Sequence, residues 1–172
     1  MMNGPNFEQL HALIIEDNAH MLTLLHTLVR SIGIKNIIEA PDGTHGLVAA
    51  KGHNPDFVLT DLNMQPMDGI AFTRAVRSGS DGLNPYLPII MVTGHTEYAR
   101  VVEARDAGVN EFLAKPITVG NLQSRIVQII ERPRPFVRSD NYFGPDRRRR
   151  KDPLYVGPFR RQSDTSEEVA LR

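Results

Sequence analysis

The chain has 172 residues, a formal net charge of zero, 41% hydrophobic residues and no cysteine. That length holds one ordinary domain with a modest extra segment, and the apolar fraction suffices for a core, which excludes wholesale disorder. The missing cysteine removes disulfides, thiol catalysis and cysteine-ligated zinc together.

No basic cluster followed by an apolar run opens the sequence, and no apolar run approaches the ~20 residues that span a bilayer. A soluble, cytoplasmic protein with no membrane insertion is expected. Charge is unevenly spread. Up to Glu131 there are 9 Lys and Arg against 14 Asp and Glu, a balance of −5; from Arg132 onward there are 11 against 6, a balance of +5. An acidic body with a basic tail implies two parts with different tasks.

In chain order, Leu13-Ile14-Ile15 is a short apolar run that stops at Glu16-Asp17. A helical stripe follows on Leu22, Leu25, Val29 and Ile32, with Asn18 as N-cap and Gly33 as stop. Ile37-Ile38 reads as a second strand, and Pro41-Asp42-Gly43 opens a weaker helix through Ala50. The run Phe57-Val58-Leu59-Thr60-Asp61 is a third strand, followed by a helix over about Gly69 to Ser78. The Gly79 to Pro88 segment reads as loop. Ile89-Ile90-Met91-Val92 is the fourth strand, ending at Thr93-Gly94, and a helix is expected from Thr96 to Ala107, closed by Gly108. Glu111-Phe112-Leu113-Ala114 is the fifth strand, ending at Lys115-Pro116. The last helix carries Val119, Leu122, Ile126, Ile129 and Ile130, and Pro133 limits its extension.

Strand and helix alternate five times, and the strands are apolar throughout rather than alternating. Both features fit a five-stranded parallel sheet covered on both faces. The expected fold is α/β, doubly wound and flavodoxin-like, with ligand chemistry at the carboxyl ends of the strands. Glu16-Asp17, Asp61, Thr93 and Lys115 all fall at such ends, so three carboxylates, a hydroxyl and an ammonium meet at one edge. Singly, each has an ordinary reading: an Asp after a strand caps a helix, and Lys-Pro makes a turn. Together they describe a site. Crowded carboxylates repel unless a cation intervenes, and all-oxygen ligands suit Mg²⁺. Asp17 and Asp61 are the expected direct metal ligands, with the Asn63 carbonyl nearby and Glu16 acting through water. Asp61 is placed to attack a phosphoryl group in line, Lys115 to pair with the added charge, and the Thr93 hydroxyl to donate to a phosphoryl oxygen. A phosphohydrolase would want a second acid two residues after Asp61, and that position is Asn63. No enzyme activity beyond accepting the phosphoryl group is expected.

From about His11 to Glu131 the chain resembles a two-component response-regulator receiver domain of the chemotaxis CheY type. The resemblance rests on Glu16-Asp17, Asp61 with Met67-Asp68-Gly69, Val92-Thr93-Gly94 and Lys115-Pro116. It implies a histidine kinase or other phosphodonor, a requirement for Mg²⁺, a cis peptide at Lys115-Pro116 and a switch aromatic at Phe112. The other reading of Phe112 is an ordinary core aromatic. The family places proline four residues after the phosphoacceptor; here that position is Gln65, and proline follows at Pro66.

Beyond Pro133 apolar periodicity is lost, and the tail is expected to be mostly irregular. About 40 residues of this composition hold no DNA-binding domain. They hold a repeat instead: Tyr142-Phe143-Gly144-Pro145-Asp146-Arg147-Arg148 recurs 13 residues later as Tyr155-Val156-Gly157-Pro158-Phe159-Arg160-Arg161. The shared form is Tyr-x-Gly-Pro-x-Arg-Arg. Such a run serves as a solvated basic tail, a nucleic-acid contact or a seat for an acidic partner, generic nucleic acid being less favoured. A sharper reading starts from arginine's planar fork, which binds phosphate, pairs with guanine and stacks on bases. Aspartates interleaved with the arginines can accept from guanine. Cyclic di-GMP, with two guanines and two phosphates, uses each of these groups. The candidate contacts are Arg138, Asp140, Tyr142, Asp146, Arg147, Arg148, Arg149, Arg150, Asp152, Tyr155, Arg160 and Arg161.

This tail resembles that of the CheY-like cyclic di-GMP effectors, the Cle proteins. The resemblance implies a regulator that binds cyclic di-GMP and acts on a flagellar motor switch protein. The expected divisions are an N-terminal arm over 1–10, the receiver over 11–131, the ligand-binding tail over 132–162 and a disordered end over 163–172. The tail is expected to be disordered when free and to order on its ligand.

Overall fold

A computed structural model describes residues 5–94 and 98–148 and the backbone of 167–169. Five strands, β1 (His11–Ile15), β2 (Asn36–Ala40), β3 (Phe57–Asp61), β4 (Ile89–Thr93) and β5 (Glu111–Ala114), form a parallel sheet in the order β2-β1-β3-β4-β5. Five helices alternate with them: α1 (Ala19–Ser31), α2 (Gly43–His53), α3 (Gly69–Ser78), α4 (Tyr98–Ala107) and α5 (Val119–Glu131).

Successive strand residues point to opposite faces, so an unbroken apolar strand feeds two cores. On one side Leu13, Ile15, Val58, Ile89 and Met91 pack with Ile70, Phe72 and Val76 of α3. On the other, Ala12, Ile14, Phe57, Leu59, Ile90 and Val92 pack with Leu25 and Val29 of α1 and Leu122, Ile126 and Ile129 of α5. Phe112 is half-buried against the first of these clusters.

Side-chain caps set the helix starts. Asn18 accepts from the His20 and Met21 amides, Asp42 from Thr44 and His45, Asp68 from Ala71, and Thr118 from Asn121. Each satisfies amides that lack an intrahelical partner. The second helix runs past the expected Ala50 to His53, where Asn54 takes the left-handed conformation at φ 45° and ends it. The fourth helix is described from Tyr98, and the expected start at Thr96 lies outside the described residues.

The described first part of the tail is more regular than expected. Instead of becoming irregular after Pro133, the chain forms an antiparallel hairpin of β6 (Phe136–Ser139) and β7 (Tyr142–Pro145), turned by Asp140-Asn141. The backbone of β8 (Glu167–Val169) pairs with the other edge of β6. An isolated two-stranded hairpin is marginal in water; this one is docked. Phe136 and Phe143 join Tyr86 in an aromatic cluster with centroids 5.0–5.5 Å apart. Beneath it lies the buried Arg77 of α3, its guanidinium 5.1 Å from the Phe136 ring. Gly144 approaches Gly108 so closely that a Cβ would lie 2.9 Å from the Gly108 Cα.

The same contact gives the Gly79 to Pro88 loop a role. Arg77 donates to the carbonyls of Pro85 (2.9 Å), Leu87 (2.8 Å) and Gly108 (2.9 Å) and to Asn110 Oδ1 (2.7 Å). The loop thus supplies Tyr86 to the aromatic cluster and two of the four acceptors. Burial pulls the guanidinium down to about 9, which still leaves it cationic at neutral pH. It is held by neutral oxygens and an aromatic face.

Candidate functional site

The strand ends deliver the expected groups to one edge of the sheet. Glu16, Asp61 and Thr93 are 3%, 7% and 5% exposed, Lys115 is half-buried and Asp17 faces solvent. Lys115 Nζ lies 3.0 Å from Asp61 Oδ1, while the Asn63 amide donates to Asp61 Oδ2 at 2.9 Å. Both carboxylate oxygens are therefore oriented by cationic or amide hydrogen, the pattern that holds a carboxylate in one rotamer. The Lys115 amide also donates to the Thr93 carbonyl at 2.9 Å, which ties the β5 end to the β4 end.

The loop after Asp61 folds back tightly. Gly69 donates to the Leu62 carbonyl at 3.1 Å, and a Cβ at Gly69 would lie 2.3 Å from the Asp61 carbonyl oxygen. Only glycine lets α3 start this close to the strand end. Lys115-Pro116 is cis, as the resemblance implies, and so is Gln65-Pro66.

Glu16 is the least comfortable group here. Its Oε1 accepts from the Asn18 amide at 3.0 Å, but its Oε2 is buried with no hydrogen-bond partner among the described residues. Burial pushes the carboxyl up to about 7; the Asn18 amide opposes this, Asp61 adds to it, Lys115 opposes it and Asp17 adds to it. A buried unpaired carboxylate oxygen is costly, and a hard cation would relieve it. Among the described residues, no three acidic or histidine side chains are already gathered into a cation cage. Glu16 and Asp61 are nevertheless buried at this edge with Asp17 exposed beside Glu16, and all three offer oxygen. They fit a divalent ion that keeps part of its water.

In the tail, the candidate residues Arg138, Tyr142, Asp146, Arg147 and Arg148 have partners within the chain. Tyr142 and Asp146 are buried. The Tyr142 hydroxyl donates to the Pro145 carbonyl at 2.7 Å, and Asp146 holds Arg148 at 3.1 Å. Arg147 lies over the Tyr142 ring at 4.3 Å, and Arg138 over Phe143 at 4.4 Å. Arg138 and Asp140 are exposed and border a groove of ≈ 440 Å³ with Arg74 and Ser78. Arg149, Arg150, Asp152, Tyr155, Arg160 and Arg161 lie outside the described residues. The sequence did not point to Arg77, Asn110 or Asp106, the receiver residues that seat this hairpin. A signal was there in the two-residue Asp140-Asn141 turn between runs rich in Phe, Val and Tyr.

The chain matches the response regulator receiver domain family over residues 12–127. Chemotaxis protein CheY of Pseudomonas aeruginosa is 40% identical over 120 residues, covering 70% of this chain and 95% of that protein. Chemotaxis protein CheY-3 of Vibrio cholerae is 35% identical over 120 residues, covering 70% of this chain and 91% of that one. Among solved structures, the receiver domain of sensor histidine kinase PA1611 from Pseudomonas aeruginosa superposes with a TM-score of 0.61 at 30% identity, covering 69% of this chain and 94% of that domain. It was solved with a magnesium ion coordinated in its active-site cleft. With the five-stranded sheet and the Asp61–Lys115 pair already in place, these similarities show that the chain belongs to the response-regulator receiver family and carries a receiver domain of the CheY-like kind.

Proposed function

We propose that this protein is a signalling response regulator that accepts a phosphoryl group on Asp61, takes cyclic di-GMP through its tail and acts by protein contact. The observation that carries the first part is the Asp61 carboxylate, buried at a strand end and held between the Lys115 ammonium and the Asn63 amide.

A carboxylate oxygen of Asp61 attacks the phosphorus of a phosphohistidine or a small phosphodonor. The P–O bond forms as the bond to the donor breaks; from phosphohistidine the leaving imidazole takes a proton from water, and from a small phosphodonor the leaving group departs as its own anion. The product is an acyl phosphate, with two negative charges where one stood. Lys115 lies within reach to pair with that added charge, and the Thr93 hydroxyl donates to a phosphoryl oxygen. Asp17, Asp61 and the Asn63 carbonyl would hold Mg²⁺ directly and Glu16 through water, and the ion supplies charge neutralisation for the incoming phosphoryl oxygens. The test is labelling by a small phosphodonor. It should require Mg²⁺ and vanish in Asp61→Asn; equal labelling of that variant would sink the assignment.

The second part concerns the tail. It is supported by the placing of the Arg138 and Arg147 guanidinium groups over aromatic rings beside the basic run. Such groups take phosphate edge-on and a guanine face-on. Titration calorimetry with cyclic di-GMP should give saturable heat that falls when Arg149 and Arg150 become Ala. If generic duplex DNA binds as tightly and loses affinity steeply with salt, the tail is a nucleic-acid contact instead. By analogy with the chemotaxis relatives, a flagellar motor switch protein is the proposed recipient of the signal.

A further inference from the structure

The first arginine of the basic run is not simply displayed to solvent. Arg147 Nη1 is 2.7 Å from Oδ1 of Asp106, in the last turn of α4. Its guanidinium covers Tyr142, its side chain is only 16% exposed, and its Nε is buried without an acceptor among the described residues. Arg147 is thus tied to the receiver through one nitrogen while another lacks a partner, an arrangement a better acceptor could improve upon.

Asp106 has its own need for this cation. A carboxylate in the last turn of a helix sits at the negative end of the macrodipole, which disfavours it. Arg147 and its neighbour Arg105, whose Nε is 3.0 Å from Asp106 Oδ1, offset that charge. The contact adjoins a close backbone approach between tail and receiver, that of Gly144 to Gly108 just past the end of α4. Ligand chemistry and hairpin docking therefore converge on one guanidinium.

We infer that Arg147 is an exchangeable latch, held by Asp106 of α4 when the tail is empty and given up to the phosphate or guanine of the tail ligand when it is bound. This rests on the proposal that the tail takes cyclic di-GMP. Ligand and α4 compete for one cation, so binding loosens the hairpin from the receiver, and loosening the hairpin favours binding. The coupling is reciprocal by linkage. Occupancy of the tail is thereby reported at α4, with Asp106 left less compensated at its helix end.

The test uses the full chain and two substitutions on α4 that remove the same charge. Asp106→Asn frees Arg147, whereas Glu103→Gln removes a carboxylate that pairs with Arg74 and Arg100 and not with the hairpin. Calorimetric titration with cyclic di-GMP should show affinity rising about 2–5-fold in Asp106→Asn, the range for a partly exposed ion pair, and unchanged in Glu103→Gln. Amide hydrogen exchange read at Val137, Phe143 and Asp106 should speed up on saturating wild type with ligand. In Asp106→Asn it should already be faster without ligand. Equal affinity in wild type and Asp106→Asn, or ligand that leaves exchange in the hairpin and α4 unaltered, would overturn the latch while leaving the tail a ligand site. Absence of heat in all three proteins would remove the ligand reading itself, and the latch with it.

Discussion

Replacing Arg77 with Met tests how the tail is mounted on the receiver. The guanidinium is buried, makes four hydrogen bonds of 2.7–2.9 Å to neutral oxygens and lies 5.1 Å from the Phe136 ring. Methionine fills much of the volume but leaves the Gly108, Pro85 and Leu87 carbonyls and the Asn110 amide oxygen without this donor. Each lost bond from a charged donor is worth about 1.5–3 kcal/mol, offset by the several kcal/mol that burying the cation costs. The expected net loss is about 3–5 kcal/mol. At this chain length that corresponds to a fall in melting temperature of about 6–20 °C. Phe136→Ala alone should cost about 3–5 kcal/mol. Because ring and guanidinium stack in a desolvated site, the double variant should lose less than the sum, with a coupling of about 1–2 kcal/mol. Reversible urea unfolding of the four proteins measures all three quantities. Additivity within about 0.5 kcal/mol would mean that the ring and the guanidinium do not meet, and the proposed seat of the hairpin would fall.

Two further outcomes follow from the same geometry. Glu16 is raised from 4.5 to about 7 on folding, so the native chain binds more protons than the unfolded one between those values. Its contribution to stability is complete below about pH 4.5 and is lost as pH rises through 7. In metal-free buffer, the gap in urea midpoint between wild type and Glu16→Gln should therefore shift in favour of Gln as pH rises from 5 to 8; a gap independent of pH would mean that Glu16 is not buried unpaired. Gly144→Ala places a Cβ 2.7 Å from the Tyr142 hydroxyl and 2.9 Å from the Gly108 Cα. Overpacking of that kind costs about 1–3 kcal/mol, and it should be accompanied by faster amide exchange at Val137 and Phe143, whereas wild-type exchange there would refute the close approach.

The parts of the fold that could be read from the chain are those fixed by local punctuation. Strand Phe57–Asp61, helix Gly69–Ser78 and strand Glu111–Ala114 have the expected ends, because an apolar run stops there at an acid, a glycine or a lysine-proline pair. The convergence of Asp61 and Lys115 was readable for a topological reason: parallel strands bring their carboxyl ends to one edge, whatever the side-chain details. The hairpin was not readable in that way. Its strands are four residues long, and their stability comes from Arg77, Tyr86 and Gly108, each distant in sequence. Arg77 in isolation looks like one more charged residue of an amphipathic helix, and the Gly79 to Pro88 loop looks purposeless until Pro85 and Leu87 are found bonding to it. The unpaired Glu16 oxygen was hidden for a similar reason, since burial belongs to the packed sheet edge and not to the dipeptide Glu16-Asp17. The tail motif also gained a second meaning. In its first copy, tyrosine, glycine and the first arginine serve docking, so residues proposed for ligand binding also hold the fold.

The most direct test of Asp61 as phosphoacceptor is to locate the phosphoryl group chemically. After incubation with a small phosphodonor and Mg²⁺, borohydride reduction converts an acyl phosphate of aspartate to homoserine, and peptide sequencing by mass spectrometry finds the converted position. Homoserine at position 61, formed only with Mg²⁺ and nowhere else in the chain, is the predicted result. An unconverted Asp61 in a labelled protein, or conversion at another carboxylate such as Asp17 with Asp61 intact, would contradict it.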